Sequence, residues 1–273
     1  MQYGELAWPA VLAHAKKVAV LPLGALEQHG HHLPLLTDSL IGAEVARRAE
    51  ADLGDAALFL PMLWVGASDH HRAFPGTMSL SAGTYARVLG ELLDSLIGSG
   101  LRRILLLNAH AGNVAPAQVA MSDKQIEYRH RHPDLYLTFV SWFDLLPAEA
   151  LSEFEPPLSQ GKLSHACEWE TSAVQVIRPD LVGDERPATR RRFDSPFWCP
   201  DYRRHSRVSV ARTLEQSSES GALGYPERAA PEKGEALLAL AAREVAAFVR
   251  ELATWPDTLG PETLETPKED PSL

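Results

Sequence analysis

The chain has 273 residues, and 45% of them are hydrophobic, which is ordinary for a globular protein with a packed core. Its net charge of −10 argues against a nucleic-acid partner, because no basic field is present to bind phosphates. No apolar run reaches the ~18 residues of a membrane span. The sequence also shows no signal peptide and no disulfide framework, so we expect a cytoplasmic protein with no membrane partner.

Strands and helices are predicted to alternate along the chain. The first strand, 18–23, is continuously apolar, which is typical of a strand buried on both faces. In chain order the pattern then predicts a helix over 38–53, a strand over 57–65, a helix over 84–97, a strand over 103–107, a helix over 114–129, a strand over 135–143, and helices over 165–176 and 232–252. This alternation favours a three-layer α/β/α fold with a mostly parallel sheet.

Residues 1–255 are expected to form a single domain. Within it, 182–230 is rich in proline and poor in apolar runs, which indicates an extended arm. Aromatic and basic side chains of this arm are expected to line a pocket: Phe197, Trp198, Tyr202 and Arg203. The tail, 256–273, is rich in Pro, Thr and Glu and is predicted to be disordered.

Acidic and histidine side chains follow all four predicted strands. They occur at 27–29, 69–71, 108–113 and 165–170. Sites in open parallel sheets collect at the carboxyl ends of the strands, so we expect these segments to meet. Carboxylates and imidazoles are ligands that Zn²⁺ or Mn²⁺ accept, and a carboxylate such as Asp38 can bridge two metal ions.

Simpler roles are available to several of these residues. Isolated histidines are expected on the surface: His14, His31, His130, His132 and His205. His110 could cap a helix or belong to a loop, and Asn113 could equally cap the helix that follows it. Gly112 could serve only a tight backbone turn.

Five sequence elements, in this order, resemble those of the creatininase (creatinine amidohydrolase) family. They are Glu27–Gly30 with His32–Pro34 and Thr37–Asp38; Phe74–Thr77 with Ser79–Leu80; Asn108–Asn113; His165–Ser172; and Gly224–Pro226 with Glu232–Gly234. Ala109, Ala111 and Cys167 stand where the family pattern has glycine. The resemblance extends over about residues 6–250.

The resemblance implies a hydrolase of amide or cyclic amide C–N bonds that uses two divalent metal ions, Zn²⁺ or Mn²⁺, with Fe²⁺ also acceptable. By position, Glu27, Asp38 and His110 correspond to the ligands of one metal. His29 and Asp38 correspond to ligands of the other, with Asp38 bridging. Creatininase has its remaining ligand, a glutamate, at the position of Gly112.

We therefore predict that Glu168 supplies the missing carboxylate, with Glu170 as the competing candidate. In creatininase itself, an aromatic residue stands at the position of Ala111 and a glutamate at that of Gly112. These two differences argue against creatinine as the substrate. Other branches of the family act on a formylamino-pyrimidine, a modified peptide or a cyclic polyol derivative.

Bound metals would lower the pKa of a bridging water and polarise the substrate carbonyl. His165 is the candidate proton donor to the leaving nitrogen, because histidine transfers protons near neutral pH. Glu168 or Glu170 is expected to orient the water. The residues expected to contact the substrate are His70, His71, Asn108 and Asn113.

Other functions remain open at this point. A lactonase, deformylase or peptidase of the same family would use the same residues, and a non-catalytic member would hold metal only as structure. The carboxylate-rich ligand set without clustered cysteines favours catalysis. A nucleotide-binding protein is disfavoured, since no Gly-x-Gly-x-x-Gly follows the first strand. We expect a small-molecule substrate, and the resemblance favours a homo-oligomer, in particular a hexamer.

Overall fold

Four parallel strands form the sheet at the centre of the molecule. The computed structural model describes residues 1–159, 162–190, 195–199 and 206–257. The strands are β1 (Val18–Leu23), β2 (Ala57–Phe59), β3 (Arg103–Asn108) and β4 (Tyr136–Ser141). Their order across the sheet is β2-β1-β3-β4, and every neighbouring pair is parallel.

Helices cover both faces of this sheet. In chain order they are α1 (Trp8–Ala13), α2 (Thr37–Leu53), α3 (Ala82–Gly98), α4 (Val114–Tyr128), α5 (Ala148–Ser152), α6 (Glu168–Ile177) and α7 (Pro231–Thr254). One hydrophobic core joins α2, α6 and α7 to one face, and a second joins α3 and α4 to the other. The predicted three-layer α/β/α fold is confirmed.

The two central strands are buried on both sides. Val20 and Leu105 point into the core beneath α2, α6 and α7, whereas Leu21 and Leu106 point into the core beneath α3 and α4. Every residue of β1 and β3 is buried. Strands that are buried on both faces consist of continuous apolar residues, which is why β1 and β3 could both be predicted from the sequence.

The second strand is shorter than the predicted 57–65. Regular pairing ends at Phe59, and Pro61 has no backbone N–H with which to extend a ladder. The amide of Leu60 still donates to Val20 O at 2.9 Å, and that of Leu63 donates to Pro22 O at 3.0 Å. The chain therefore follows the edge of the sheet without forming a regular strand.

The described parts of the arm contain no helix longer than three residues. The arm returns to the domain beside His165, whose carbonyl accepts a hydrogen bond from Leu223 N at 2.8 Å. Tyr202 and Arg203 lie outside the described residues, as does the tail from 258 onward. Where the structure describes the chain, no helix is both long and apolar enough to cross a bilayer.

The double burial of β3 makes its apolar side chains important for stability. Leu105 is fully buried, so Leu105→Ala should lower the free energy of unfolding by about 2 to 5 kcal/mol. Urea unfolding followed by circular dichroism measures the change. Val119→Ala on the exposed face of α4 is the control, and a loss of similar size there would contradict this account of the core.

Candidate metal centre

The candidate site lies at the carboxyl edge of the sheet. Glu27 and His29 follow β1, and His110 follows β3. Asp38 and Glu170 lie in the first turns of α2 and α6. The positive end of a helix dipole stabilises a carboxylate in its first turn. The fold thus brings acidic and imidazole side chains to one edge, as expected for a parallel sheet.

Glu27, Asp38 and His110 form one group of possible metal ligands, with ligand atoms within 4.8 Å of one another. His110 Nε2 lies 3.3 Å from Glu27 Oε2, and His110 Nδ1 lies 3.1 Å from Asp38 Oδ2. All three side chains are buried. Carboxylates removed from water need a cation, which either an imidazolium or a metal ion supplies.

Asp38 also faces a second group, formed by His29, His165 and Glu170. Its Oδ1 lies 3.3 Å from His29 Nε2, whereas its Oδ2 faces the first group. Glu170 Oε1 lies 3.9 Å from the same His29 nitrogen. Asp38 therefore presents one oxygen to each group, the arrangement that a carboxylate bridging two metal ions needs.

The hydrogen bonding of His29 directs its free nitrogen into the cluster. Nδ1 lies 3.1 Å from the Glu27 carbonyl oxygen and donates to it, so Nε2 carries the lone pair of the neutral ring. That lone pair faces the carboxylates of Asp38 and Glu170. A lone pair against carboxylate oxygens is repulsive, and a proton or a metal cation between them removes the repulsion.

The residues present fit a divalent metal ion. Glu27 Oε2, His29 Nε2 and Asp38 Oδ2 are buried and make no hydrogen bond. Buried polar atoms without partners are rare, and here they are carboxylate oxygens and an imidazole nitrogen directed at one another. Oxygen and nitrogen ligands of this kind suit Zn²⁺, Mn²⁺ and Fe²⁺.

The two acids at the start of α6 point in opposite directions. Glu170 presents Oε1 to His29, while its other oxygen accepts a hydrogen bond from a backbone amide of the helix cap at 3.4 Å. Glu168 instead pairs with Lys233 of α7 and accepts from Ser159 N at 2.7 Å. Residues two apart on a helix lie about 200° apart around its axis. The structure thus brings Glu170 to the cluster and leaves Glu168, the predicted ligand, outside it.

The two asparagines predicted to contact the substrate lie beneath the site instead. Asn113 Oδ1 accepts from Ala67 N at 3.0 Å, and its Nδ2 donates to Gly24 O at 3.0 Å. Asn108 Nδ2 donates to His110 O at 2.7 Å, and its Oδ1 accepts from His110 N at 3.2 Å. Both side chains are fully buried, so they position the loops that carry the cluster.

His165 and His71 lie on the other side of Glu27. His165 Nε2 donates to Gln28 O at 2.9 Å, which leaves a lone pair on Nδ1, 3.8 Å from Glu27 Oε1. His71 Nε2 lies 3.2 Å from the same oxygen. The sequence identified both histidines but not Gln28. The signal for Gln28 is its position between two predicted ligands.

Burial and charge shift the pKa values in opposite directions. Burial alone would lower the pKa of His29, but the carboxylate of Asp38, joined by Glu170 and Glu27, raises it to about 9. Burial raises the pKa of Glu170 to about 7 and lowers that of His165 to about 3. Without metal the carboxylates are therefore balanced partly by protons on imidazole, which an incoming metal ion must displace.

A cavity of about 400 Å³ opens over the cluster, within the size range of small-molecule sites. His70 and His71 both line it, and His70 stacks on His110 with ring centroids 5.7 Å apart. Much of the remaining wall is apolar and is formed by Ala109, Val114, Phe143, Leu163 and Leu214. The cavity thus offers metal ligands at its base and apolar contacts around them.

The arm reaches this cavity through a residue that the sequence did not indicate. Among the described residues of the arm, Leu214 lines the cavity, whereas Phe197 and Trp198 do not. Phe197 is 51% exposed and packs under the guanidinium of Arg207. Leu214 belongs to a short 3-10 turn with no pattern that separates it from other loop leucines.

Comparison with known protein families identifies the family of this chain. The family model of creatininase, described as creatinine amidohydrolase, matches residues 4–249. The chain belongs to the creatininase family. It is therefore a hydrolase of that family, and the resemblance stated from the sequence motifs is confirmed.

Two curated relatives of the creatininase family show how the similarity is distributed. Creatinine amidohydrolase from Pseudomonas putida is 29% identical over 260 residues, covering 91% of this chain and 95% of the relative. Mycofactocin precursor peptide peptidase from Mycobacterium tuberculosis (strain H37Rv) is 30% identical over 244 residues, covering 86% and 84%. Relatives with different substrates are therefore similar to this chain to the same degree.

Solved structures of the creatininase family share the fold. A crystal structure of creatinine amidohydrolase aligns with a TM-score of 0.75 at 28% identity, covering 93% of this chain and 98% of that chain. Of two further solved creatininases, one is described as a Mn form and the other, a variant, as a Zn–Zn type. Both of these metals were expected from the ligand set.

Gly112 has no room for a side chain in this member of the creatininase family. A Cβ added there would overlap Ala67 O and His110 Nε2 and would lie 2.8 Å from His70 Cε1. The ring of His70 fills the space that a side chain at this position would need. A ligand at 112 is therefore excluded by packing as well as by the identity of the residue.

The buried pair between Glu168 and Lys233 predicts a structural effect without a metal effect. Glu168→Gln should lower the free energy of unfolding by about 3 kcal/mol, because Lys233 would lose its compensating charge. Metal content per subunit should stay at the wild-type level. Thermal unfolding and elemental analysis of the same samples measure both.

Glu235 provides the matched control for this variant. It pairs with Arg48 on the exposed side of α7, so Glu235→Gln should change stability by less than about 1 kcal/mol. Loss of metal from Glu168→Gln, with unchanged stability, would contradict the structural role of Glu168.

Proposed function

We propose that this protein is a metal-dependent amidohydrolase that cleaves a C–N bond of an amide or cyclic amide other than creatinine. The observation that carries the proposal is the position of Asp38, with one carboxylate oxygen toward His29 and the other toward His110. The unpaired buried atoms around it support a catalytic metal centre. A purely structural site is disfavoured by the adjoining cavity, which leaves the cluster accessible to a substrate.

Two divalent ions per subunit, Zn²⁺ or Mn²⁺ with Fe²⁺ as a further candidate, are proposed to bind here. Glu27, Asp38 and His110 would hold one, and His29, Asp38 and Glu170 the other. Glu170 takes the role for which Glu168 was predicted. When bound, such ions polarise a substrate carbonyl and lower the pKa of the attacking water.

His165 is proposed to carry the proton during the reaction. Its lowered pKa of about 3 keeps the ring neutral at neutral pH, with the lone pair on Nδ1. His165 lines the cavity, and its Nδ1 lone pair is proposed to accept a proton from the nucleophile. Donation of the same proton to the leaving nitrogen then completes C–N cleavage.

The cavity wall is proposed to select the substrate. His70 is half-buried, and its ring stacks on His110, so its edge can hydrogen-bond a polar group of the substrate. Phe143, Leu163 and Leu214 would contact an apolar substituent. The absence of a side chain at Gly112 and the small Ala111 argue against creatinine.

We further expect a homo-oligomer, with a hexamer favoured by the family resemblance, and a cytoplasmic location. Several large apolar side chains are exposed on the single chain, including Trp8 at 77% and Leu12 at 61%. Exposed aromatic and aliphatic side chains are typical of association surfaces. Sedimentation analysis would determine the number of subunits.

Metal content distinguishes the two acids of α6. Wild type and Glu168→Gln should each bind about two metal ions per subunit, whereas Glu170→Gln should bind about one, because only Glu170 faces His29. Elemental analysis of proteins purified without chelator measures this. Retention of the full metal content by Glu170→Gln would contradict the proposed ligand set.

Turnover of a substrate panel tests the reaction itself. The panel contains simple amides, cyclic amides, formamides, short peptides, lactones and creatinine. We expect hydrolysis of a C–N bond in at least one amide and no hydrolysis of creatinine. Removal of metal by a chelator should abolish the activity, and added Zn²⁺ or Mn²⁺ should restore it. Hydrolysis of lactones alone would overturn the amidohydrolase proposal.

The role of His165 has its own test on whichever substrate is turned over. His165→Gln should keep the wild-type metal content but lower kcat by at least about 100-fold, because proton transfer is lost. His130→Gln, in the exposed turn that follows α4, is the control. Wild-type kcat in His165→Gln would show that another group transfers the proton.

A further inference from the structure

Gln28 lies between the two candidate metal ligands Glu27 and His29, and its side chain is almost fully buried. Its Oε1 accepts a hydrogen bond from Gly30 N at 2.9 Å, and its Nε2 donates to Gly221 O at 3.2 Å. A rotated amide would place oxygen against oxygen at Gly221 and nitrogen against nitrogen at Gly30. The two backbone groups therefore fix the orientation of the amide.

This orientation determines the proton position on His71. Gln28 Nε2 has two hydrogens, and one of them is donated to Gly221 O. The other can be donated to His71 Nδ1 at 2.9 Å or to His165 Nε2 at 3.1 Å. His165 Nε2 itself donates to Gln28 O, so the acceptor is His71 Nδ1. The neutral ring then carries its proton on Nε2. That nitrogen lies 3.2 Å from Glu27 Oε1 and donates to it.

The chain of contacts continues to the metal-facing oxygen of Glu27. With Oε1 held by His71, the carboxylate presents its second oxygen, Oε2, to His110 and Asp38. Groups that hydrogen-bond a ligating carboxylate orient it and tune the affinity of the metal. In a third possible ligand group, formed with Glu27 and His165, His71 Nε2 would have to lose this proton before it could bind metal.

The arm is part of the same network. Gly221 has a φ of 78°, and a Cβ added there would overlap the side chain of Gln28. Only glycine lets the arm bring its carbonyl this close to the amide. The arm therefore holds the side-chain amide of Gln28 in place through Gly221.

We propose that Gln28 is a positioning residue, which holds the proton of His71 on Nε2 and thereby fixes the Glu27 carboxylate for metal binding. Its amide acts through His71, while its backbone carbonyl accepts a hydrogen bond from His165 Nε2 at 2.9 Å. The inference rests on the proposed metal centre for its effect on affinity. The proton position on His71 is independent of that centre.

The first experiment measures the proton position on His71 by ¹⁵N NMR of histidine-labelled protein, with and without Zn²⁺. Wild type should show a protonated Nε2 and an acceptor Nδ1. Gln28→Glu, which keeps the shape but replaces the donor with an acceptor, should move the proton to Nδ1. A protonated Nδ1 in wild type would overturn the proposal whether or not the protein binds metal.

The second experiment measures Zn²⁺ affinity by competition with a chelator. Gln28→Met should weaken it by about 10-fold to 100-fold, and His71→Asn should do the same. The double variant should be no weaker than the weaker single variant, because both changes break one chain of contacts. Additive losses, or wild-type affinity in Gln28→Met, would overturn the proposal.

Gln125 offers a matched control, since it is exposed on α4. Gln125→Met and Gln125→Glu should leave both the His71 proton position and the Zn²⁺ affinity at wild-type values. Melting temperatures of all variants identify any that are misfolded. If wild type itself binds no Zn²⁺, the proposed function fails, while the NMR result still tests the action of Gln28 on His71.

Discussion

The burial of three carboxylates at one point is the constraint on which this structure depends. Glu27, Asp38 and Glu170 are 1%, 3% and 4% exposed, and all of them face the same small volume. Like charges removed from water repel strongly unless cations lie between them. Two buried imidazoles, those of His29 and His110, provide this charge in part, and a bound divalent metal ion would provide it more completely. The loops, helix starts and hydrogen bonds around the cluster all serve to hold these acids together.

The start of α6 shows how one segment meets structural and chemical demands at once. Glu170 closes the N-terminal cap of the helix with one carboxylate oxygen and faces the cluster with the other. Glu168 joins α6 to α7 through Lys233. Ala166, two residues before α6 begins, has a φ of 50°, which residues other than glycine rarely adopt. This turn separates His165 from the helix, so that both His165 and Glu170 face the cavity.

Much of the fold and the centre of the site could be predicted from sequence because their signals are local. The apolar runs of β1 and β3 mark strands buried on both faces, and the candidate ligands Glu27, His29 and His110 follow them within six residues. The edge strand β2 was predicted to be too long, because an apolar sequence does not show where backbone pairing stops. The family resemblance added the order of the motifs and, through it, the metal chemistry.

The remaining features depend on contacts that sequence spacing does not encode. Sequence spacing does not show which of Glu168 and Glu170 faces the cluster. Their different directions around the helix axis, and the contact of Glu168 with the distant Lys233, decide it. Asn108 is a polar residue at a strand end, yet its side chain hydrogen-bonds the backbone of His110 and the hydroxyl of Ser141 and so is directed away from a substrate. Gln28 acquires its role from Gly221, which lies 193 residues away along the chain.

The close packing at Gly112 has a consequence for how the site can be altered by protein engineering. A glutamate introduced at this position would meet the carbonyl of Ala67 and the rings of His70 and His110, so a carboxylate cannot be added there without moving those groups. The cavity wall carries no such restriction, because Phe143, Leu163 and Leu214 line open space. Variants with altered substrate preference should therefore be sought at the wall and not at position 112.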